Sequence, residues 1–337
     1  MRIPLFIKLL MPILIVISIV AFITLEYQKF ISTPLNITNN GYNYTVPSGS
    51  HLRQISDDLS QQKLTALPSL YLYAYGRLED KAHLIKAGEY HIEQGTTLPQ
   101  LLDQLIAGKV VQYSITIVEG MTAQMLLDQV RANPTLQITL TSNDVTLLMT
   151  ALGHEDQHAE GWFYPETYHF PSNTTDIEFL QRAYDQMVLN LEREWRSRAE
   201  YLPYKSSYDA LIMASIIERE SGIAEERPQI AGVFVRRLQK GMRLQTDPTV
   251  IYGMGDSYNG NIRRKDLRAD TPYNTYTRSG LPPTPIALPS IESIHAALHP
   301  ADGTSLYFVA TGMEGRHVFS ANLKDHNKAV RRYQLKK

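Results

Sequence analysis

The stretch Ser206-Ser-Tyr-Asp-Ala-Leu-Ile-Met-Ala-Ser-Ile-Ile-Glu-Arg-Glu-Ser-Gly222 organises the second half of the chain. It predicts one short, mostly apolar helix. Ser206 and Asp209 resemble a capping box at its start, and Gly222 is suited to end it in a left-handed conformation. Two acids, Glu218 and Glu220, stand near the helix end. Carboxylates on an apolar helix cost free energy unless they have partners or a function, so both are candidate functional residues.

Helical phase predicts different surroundings for the two acids. At about 100° per residue, Glu220 falls within an apolar arc that should face the core. That arc consists of Ile212, Met213, Ile216 and Ile217. Glu220 is therefore predicted to be a buried structural acid that needs an arginine or a backbone donor. Glu218 lies on the opposite stripe with the small residues Ala214 and Ser215, where a ligand could approach, and is predicted to be the cleft acid. The alternative is two solvated charges at a helix end.

Length and composition bound the possible functions. The chain has 337 residues, which predicts about two domains. The formal net charge is −1, so we expect no nucleic-acid partner. The absence of cysteine excludes disulfides, thiolate zinc sites and a cysteine nucleophile.

The N-terminus carries an uncharged apolar run from Leu9 to Leu25. Its length lies at the short end of the range that spans a bilayer, about 17–25 residues. Arg2 and Lys8 precede the run and Glu26 follows it, so residues 1–27 are predicted to be a cytoplasmic N-terminus with an uncleaved membrane anchor. The rest of the chain would lie outside the cell membrane. A cleaved signal peptide and a buried core helix are the alternatives.

Residues 28–44 read as a polar linker, and residues 45–152 contain a weak internal repeat. Each copy combines a short strand, a glycine turn, a Ser or Thr that can cap, and an amphipathic helix. The three copies begin at Val46, Ile92 and Ile117. The pattern resembles LysM-type modules, which bind glycans containing N-acetylglucosamine. A small packing domain without a ligand is the alternative.

The stretch from Glu160 to Pro171 is the densest aromatic segment of the chain. Its rings could form a platform on which sugars stack, or they could be a core cluster, because large aromatic side chains usually pack. Glu166 lies among these aromatics, where a carboxylate needs a partner.

The stretch His154-Glu-Asp-Gln-His158 matches the H-E-x-x-H pattern of zinc peptidases. Such a site requires a helix through both histidines. Gly153 and Gly161 flank the stretch and predict a loop, so we expect no metal site here and no cofactor.

The C-terminal half alternates helices with polar and proline-rich loops. A second helix is predicted from Glu225 to Gln239. Donor-rich residues then occupy 242–253, and five prolines stiffen the segment 270–289. A hairpin, Leu306–Ala310 with His317–Ser320, and a helix from Asn322 to Arg332 are predicted last. Rigid polar loops suit a carbohydrate groove, although ordinary surface loops would look similar.

Several of these stretches, in this order, resemble the endolytic murein transglycosylase (YceG-like) family. They are Glu160-Gly-Trp-Phe-Tyr-Pro-Glu-Thr, Ala214-Ser-Ile-Ile-Glu-Arg-Glu, Met242-Arg-Leu-Gln-Thr-Asp-Pro-Thr-Val-Ile-Tyr-Gly253, Tyr273-Asn-Thr-Tyr276, Gly280-Leu-Pro-Pro-Thr-Pro-Ile286 and Tyr307-Phe-Val309. The resemblance spans nearly the whole chain. With the patterns above it implies an α+β protein with an N-terminal transmembrane helix, a small LysM-like α/β module (45–152) and a larger α+β catalytic domain (153–337).

The resemblance also implies an activity and a set of site residues. Such proteins cleave the β-1,4 bond after N-acetylmuramic acid in peptidoglycan glycan strands and leave 1,6-anhydro ends, with one Glu making both proton transfers. The resemblance places the catalytic Glu at Glu218. The predicted cleft residues are Gln245, Thr246, Asp247, Tyr273, Asn274 and Glu166. It further implies a single-pass bacterial inner-membrane protein, a periplasmic catalytic domain, and peptidoglycan synthases or penicillin-binding proteins as partners. A muramidase that uses water and a wall-binding scaffold without activity are the alternatives.

Overall fold

The computed structural model describes residues 5–312 and 315–335. The chain forms two compact units: the first runs to Tyr113 and includes residues 170–173, and the second comprises residues 114–169 and the chain from Thr174 onward. The sequence predicted the main boundary at 152/153, whereas this division lies after Tyr113. Hydrogen bonds from Ile117 to Glu166 and from Ala123 to Glu160 join the intervening residues to the second unit.

Helix α1, Leu5–Ser32, is longer than the apolar run that predicted it. Its part from Met11 to Ser32 is long and apolar enough to cross a membrane. Phe30, near its C-terminal end, is buried against the rings of Tyr71 and Tyr75. Part of the segment expected to be a linker is also packed, because the side chains of Leu35 and Ile37 are buried in the first unit. Arg2, used to predict the membrane orientation, lies outside the described residues.

The first unit has the order strand, helix, helix, strand, helix. Its elements are β1 Tyr42–Val46, α2 Leu52–Gln61, α3 Ser69–Leu78, β2 Gly88–Ile92 and α4 Leu98–Ala107. Strands β1 and β2 pair antiparallel, with Tyr42 opposite Ile92. The leucines of α2 and α4 and the inward residues of both strands form its core.

The same order of elements occurs again at the start of the second stretch of chain. It comprises β3 Gln112–Thr116, α5 Ala123–Ala132, α6 Val145–Ala151, β4 Thr167–Pro171 and α7 Asp176–Arg196. Strands β3 and β4 form a second two-stranded sheet. The three predicted strand–turn–helix copies are therefore confirmed as elements, and β4 followed by α7 is a fourth copy. Glycan binding by these modules stays a prediction.

The rest of the second unit is mainly helical. Its elements are α8 Ser207–Glu220, α9 Arg227–Gln239, α10 Asp247–Met254, α11 Ile291–Leu298, β5 Tyr307–Ala310, β6 His317–Ser320 and α12 Leu323–Tyr333. The predicted C-terminal hairpin is confirmed, since β5 and β6 pair antiparallel. The proline-rich segment between residues 269 and 290 contains no helix or strand, as its composition predicted.

Helix α8 lies at the centre of the second core. Every residue from Ala210 to Ile217 is buried, so the helix is covered on all sides. Half of the predicted capping box is formed at its start. The hydroxyl of Ser206 accepts from the backbone N–H of Asp209 at 3.4 Å, but the Asp209 carboxylate accepts from the backbone N–H of Lys205 and not from that of Ser206. The prediction for its end is wrong, because the helix is capped by Ser221 in an extended conformation rather than by a left-handed Gly222.

Candidate active site

Glu218 is held in a closed network of hydrogen bonds. Arg227 Nη2 donates to Glu218 Oε1 at 3.1 Å, and the side chains of this ion pair are only 11% (Arg227) and 6% (Glu218) exposed. On the other carboxylate oxygen, Ser290 donates its backbone N–H at 2.9 Å and its hydroxyl at 2.5 Å. Arg227 Nη1 donates to that same hydroxyl at 2.8 Å. The charge of the Glu218 carboxylate is thereby balanced by Arg227, and both of its oxygens accept hydrogen bonds from the protein.

The expectation that Glu218 faces an open cleft is therefore not met. Ala214 and Ser215, whose small size suggested room for a ligand, are fully buried. The space beside them is filled by the protein, because Ile286 donates its backbone N–H to the Ser215 hydroxyl at 3.0 Å. Helix α11, which begins just after Ser290, then packs along α8. The description predicted for Glu220, a buried acid with an arginine and a backbone donor, fits Glu218.

Glu220 is the last residue of α8 and borders a cavity. Its Oε1 accepts a hydrogen bond from the hydroxyl of Thr246. Its Oε2 accepts none from the part of the chain that the structure describes. Burial is the main cause that raises the pKa of Glu220. The hydrogen bond from Thr246 opposes it, the charge of Asp247 raises the pKa to a lesser extent, and the charges of His317 and Arg237 have still smaller lowering effects. The protonated form of Glu220 is thus favoured, with one oxygen not bound to the protein.

The cavity beside Glu220 has a volume of about 540 Å³ and is lined by polar and aromatic side chains. Its polar residues include Glu220, Arg237, Gln245, Asp247, Tyr276 and His317. Its apolar residues come from α9, strand β5 and helix α12, together with Leu244. Such a mixture of aromatic rings and several hydrogen-bonding side chains suits a polar ligand such as a sugar.

The segment after Leu244 brings three predicted residues to Glu220. Gln245 adopts a left-handed conformation with φ of 51°, which is rare for a residue other than glycine and typical of functional sites. Thr246 binds Glu220, while Asp247 begins helix α10 and accepts from the hydroxyl of Tyr276 at 2.6 Å. Residues 245–247 thus lie together beside Glu220, with Gln245 and Asp247 lining the cavity, and their role in binding a substrate stays a prediction.

Asn274 does not line the cavity but shapes a loop beside it. Its side-chain amide donates to the carbonyl oxygens of Asp266 and Ala269, and its Oδ1 accepts from the backbone N–H of Tyr276. The residue is buried, so it contributes indirectly, by fixing the turn that presents the Tyr276 hydroxyl.

Tyr273, Glu166 and the aromatic segment lie elsewhere. Tyr273 packs edge-on against Tyr252 and bonds Thr284 through its hydroxyl, and Glu166 is exposed away from the lining residues. Trp162 stacks on Tyr208 at 5.7 Å between ring centroids, and Phe163 is fully buried. The aromatic segment is therefore packed core, the second of the two predicted possibilities.

The stretch that matches H-E-x-x-H is a loop, as its glycines predicted. His154 stacks on the ring of Tyr184, with centroids 4.2 Å apart. His158 Nδ1 accepts from the backbone N–H of Glu160 at 3.1 Å. The helical turn that would align both histidines on one metal is not formed.

Most residues that line the cavity were not predicted as site residues, and the polar ones among them include Arg237, Tyr276 and His317. Tyr276 belongs to a quoted motif but was not selected. Arg237 sits on α9 and donates to the carbonyls of Leu244 and Leu306, so its role at the cavity depends on tertiary contacts. His317 begins β6 and bonds Glu226. Of these three residues, only Tyr276 carried a signal in the sequence, because it lies four residues after Pro272 in a rigid polar loop.

Comparison with known proteins adds the family. The sequence profile of the YceG-like family matches residues 44–332. The chain belongs to the YceG-like family. It is 32% identical over 308 residues to a Bacillus subtilis protein named endolytic murein transglycosylase, covering 86% of this chain and 84% of the relative. A Streptococcus pneumoniae protein of the same name is 26% identical over 341 residues, and the match spans 61% of that longer relative.

A solved structure gives the same result. The crystal structure of a YceG-like protein from Listeria monocytogenes superposes on this family member with a TM-score of 0.54 and 30% sequence identity. The superposition covers 86% of this chain and 99% of the Listeria chain. The match therefore extends over most of both compact units, and the two relatives above carry the name endolytic murein transglycosylase.

Proposed function

We propose that this family member is an endolytic lytic transglycosylase of peptidoglycan, and that Glu220 carries its proton transfers. The observation that supports this most is the setting of the Glu220 carboxylate. It has a raised pKa, one oxygen not bound to the described protein, and a polar cavity of about 540 Å³ beside it. The relatives named endolytic murein transglycosylases supply the substrate class.

The proposed reaction needs one acid that works twice. Protonated Glu220 donates its proton to the oxygen of the β-1,4 bond between N-acetylmuramic acid and N-acetylglucosamine, and the bond from that oxygen to muramic C1 breaks. The Glu220 carboxylate then takes the proton of the muramic C6 hydroxyl, whose oxygen bonds to C1. The product carries a 1,6-anhydro end, no water is consumed, and Glu220 is protonated again. A raised pKa favours the first step, because the acid must hold its proton at working pH.

The cleft residues have separate proposed roles. Thr246 orients Glu220 by donating to Oε1, which leaves Oε2 for the substrate. Asp247 adds to the effect of burial in raising the pKa of Glu220, and Gln245 and Tyr276 offer donors and acceptors to sugar hydroxyls. Glu218, the candidate from the sequence, is proposed instead to fix α8 against α11 through Ser290.

A muramidase that uses water is the second candidate, because Asp247 provides another carboxylate at the cavity. Hydrolytic glycosidases use two carboxylates, one to activate water or attack the sugar. Mass spectrometry of murein digested by the full-length protein separates the two reactions. We expect 1,6-anhydro ends from wild type and none from Glu220→Gln. Reducing ends alone would contradict the transglycosylase proposal, and no cleavage at all would favour a scaffold.

We further propose that α1 anchors the protein in the inner membrane with its catalytic unit on the periplasmic side. Its apolar stretch supports the anchor, and the positive charges of Arg2 and Lys8 before the run Leu9–Leu25 agree with a cytoplasmic N-terminus. This position would place the cleft near newly made glycan strands. It would allow association with peptidoglycan synthases and release of growing strands. Protease accessibility in spheroplasts tests the orientation: the catalytic unit should be digested from the outer side.

A further inference from the structure

The last turns of α7 and α11 bring together three metal-ligating side chains that the proposed reaction does not use. They are Glu194, His295 and His299, and one ligand atom from each lies within 4.8 Å of the other two. His295 lies in the last turn of α11 and His299 directly follows the helix, and the stacking of their rings places them side by side. Glu194 comes from α7, so the cluster spans two helices of the second unit.

The contacts within the cluster leave one ring nitrogen without a protein partner. His295 Nδ1 lies 2.8 Å from Glu194 Oε2, and the two imidazole rings stack with centroids 4.3 Å apart. The Nε2 atom of His299 is buried and has no hydrogen-bond partner within the described residues. A buried ring nitrogen without a partner is costly, and it is the arrangement expected of a ligand atom seen without its metal.

The backbone around the cluster is fixed independently of these side chains. Ala199, just after α7, donates its N–H to the carbonyl of Leu298 at 3.0 Å. The hydroxyl of Tyr204 donates to the carbonyl of Ala297 at 3.1 Å. The ends of the two helices are thus tied together, and only side-chain adjustment is needed to bring three ligands to about 2.0–2.2 Å from one ion.

We propose that Glu194, His295 and His299 bind one divalent transition-metal ion, with Zn²⁺ the expected occupant. Two imidazoles and one carboxylate form a ligand set that zinc accepts, and three protein ligands leave a position for water. The ion would clamp the C-terminal ends of α7 and α11. Because Ser290 at the other end of α11 holds Glu218, the clamp would stabilise the packing of α11 against the central helix α8.

The test is zinc binding by the untagged, chelator-treated full-length protein in detergent, measured by calorimetry with Zn²⁺ alone and by melting temperature. We expect one ion per chain, a melting temperature that rises with zinc, and an affinity that falls at least tenfold in both His295→Ala and Glu194→Gln. His295 has a side chain that is 58% exposed, so its replacement should leave the fold intact. Substitution of Co²⁺ should give a visible absorption band that both variants lose.

The loop histidines provide a matched control. The double variant His154→Ala/His158→Ala removes the other pair of neighbouring histidines in this unit and should bind zinc like wild type. Absence of stoichiometric binding would overturn the proposal. So would binding that survives in His295→Ala and disappears in the loop double variant.

Discussion

The two acids of helix α8 stand two residues apart and have opposite surroundings. Glu218 is enclosed by Arg227 and Ser290, and each of its oxygens already accepts a hydrogen bond. Glu220 has one oxygen bound to Thr246 and lies at a polar cavity, with its pKa raised by burial and by Asp247. A carboxylate can therefore be buried in two different roles. A partnered one holds elements together, and a poorly partnered one retains a proton that it can donate.

The largest expected effect is on catalysis by Glu220→Gln. The amide keeps the shape of the side chain but cannot donate an acidic proton or accept one back, so kcat should fall about 10³-fold. Affinity for isolated glycan strands should change little, because the cavity is otherwise intact. Turnover of purified murein and strand binding by co-sedimentation measure the two quantities. An activity close to wild type would remove Glu220 from the mechanism.

The second effect is a loss of stability in Glu218→Gln. This change leaves the buried Arg227 with only the exposed carboxylate of Glu292, at 4.0 Å, as a counter-charge, and loss of the close partner costs about 3 kcal/mol in typical buried pairs. The variant should therefore unfold at lower denaturant concentration while its folded fraction still cleaves murein. Urea unfolding followed by tryptophan fluorescence gives the free energy. Arg227→Met should be similarly destabilised, and stability equal to wild type in both variants would contradict the proposed structural role.

Glu160 is a third buried acid, and it differs from Glu218 because it has no cation partner within the described chain. It accepts from the backbone N–H of Ala123 and from the hydroxyl of Tyr252, and burial raises its pKa from 4.5 to about 7. Between these two pH values the folded state holds a proton that the unfolded state has lost. The free energy of unfolding should therefore fall by about 3 kcal/mol as pH rises through this window.

Replacement of Glu160 by Gln should abolish most of that pH dependence, since the amide stays neutral in both states. Unfolding curves at pH 5 and pH 8 for wild type and Glu160→Gln provide the measurement. Equal slopes of stability against pH in the two proteins would show that Glu160 is not the group responsible.

The smallest expected effect is a shift in the pH profile of Asp247→Asn. The Asp247 charge raises the pKa of Glu220, so its removal should lower that pKa. Glu220 acts first as an acid and loses activity as pH rises through its pKa, so the alkaline limb of kcat/KM should move to lower pH. Tyr276→Phe is the control, because it keeps the Asp247 charge. If the alkaline limb of kcat/KM stayed in place in Asp247→Asn, the group that titrates in this limb would not be Glu220.

Much of the architecture could be predicted because the signals are local. The turns at Gly95 and Gly120, the capping residues Thr97 and Thr122, and the apolar spacing that follows them specify strand–turn–helix units. The hairpin β5–β6 and helix α9 were predictable for the same reason. The end of α8 was not, since Ser221 leaves the helix in an extended conformation although Gly222 follows.

The surroundings of the two acids were not predictable from helical phase. Phase separates an exposed stripe from a buried one only when a helix has an exposed stripe, and α8 is buried on every side from Ala210 to Ile217. The partners of Glu218 come from distant sequence: Ser290 lies 72 residues downstream. Residues 245–247 were predicted from a motif. Their contact with Glu220 could not be predicted, because it depends on the end of α8 at that residue.

The most direct test of the account places Glu218→Gln and Glu220→Gln side by side in one murein digestion, with anhydro ends counted per folded molecule. We predict that Glu218→Gln yields anhydro ends at a rate close to wild type but unfolds more easily. We predict that Glu220→Gln yields almost none and unfolds no more easily than wild type. The reverse pattern, with normal product from Glu220→Gln and none from folded Glu218→Gln, would contradict the assignment.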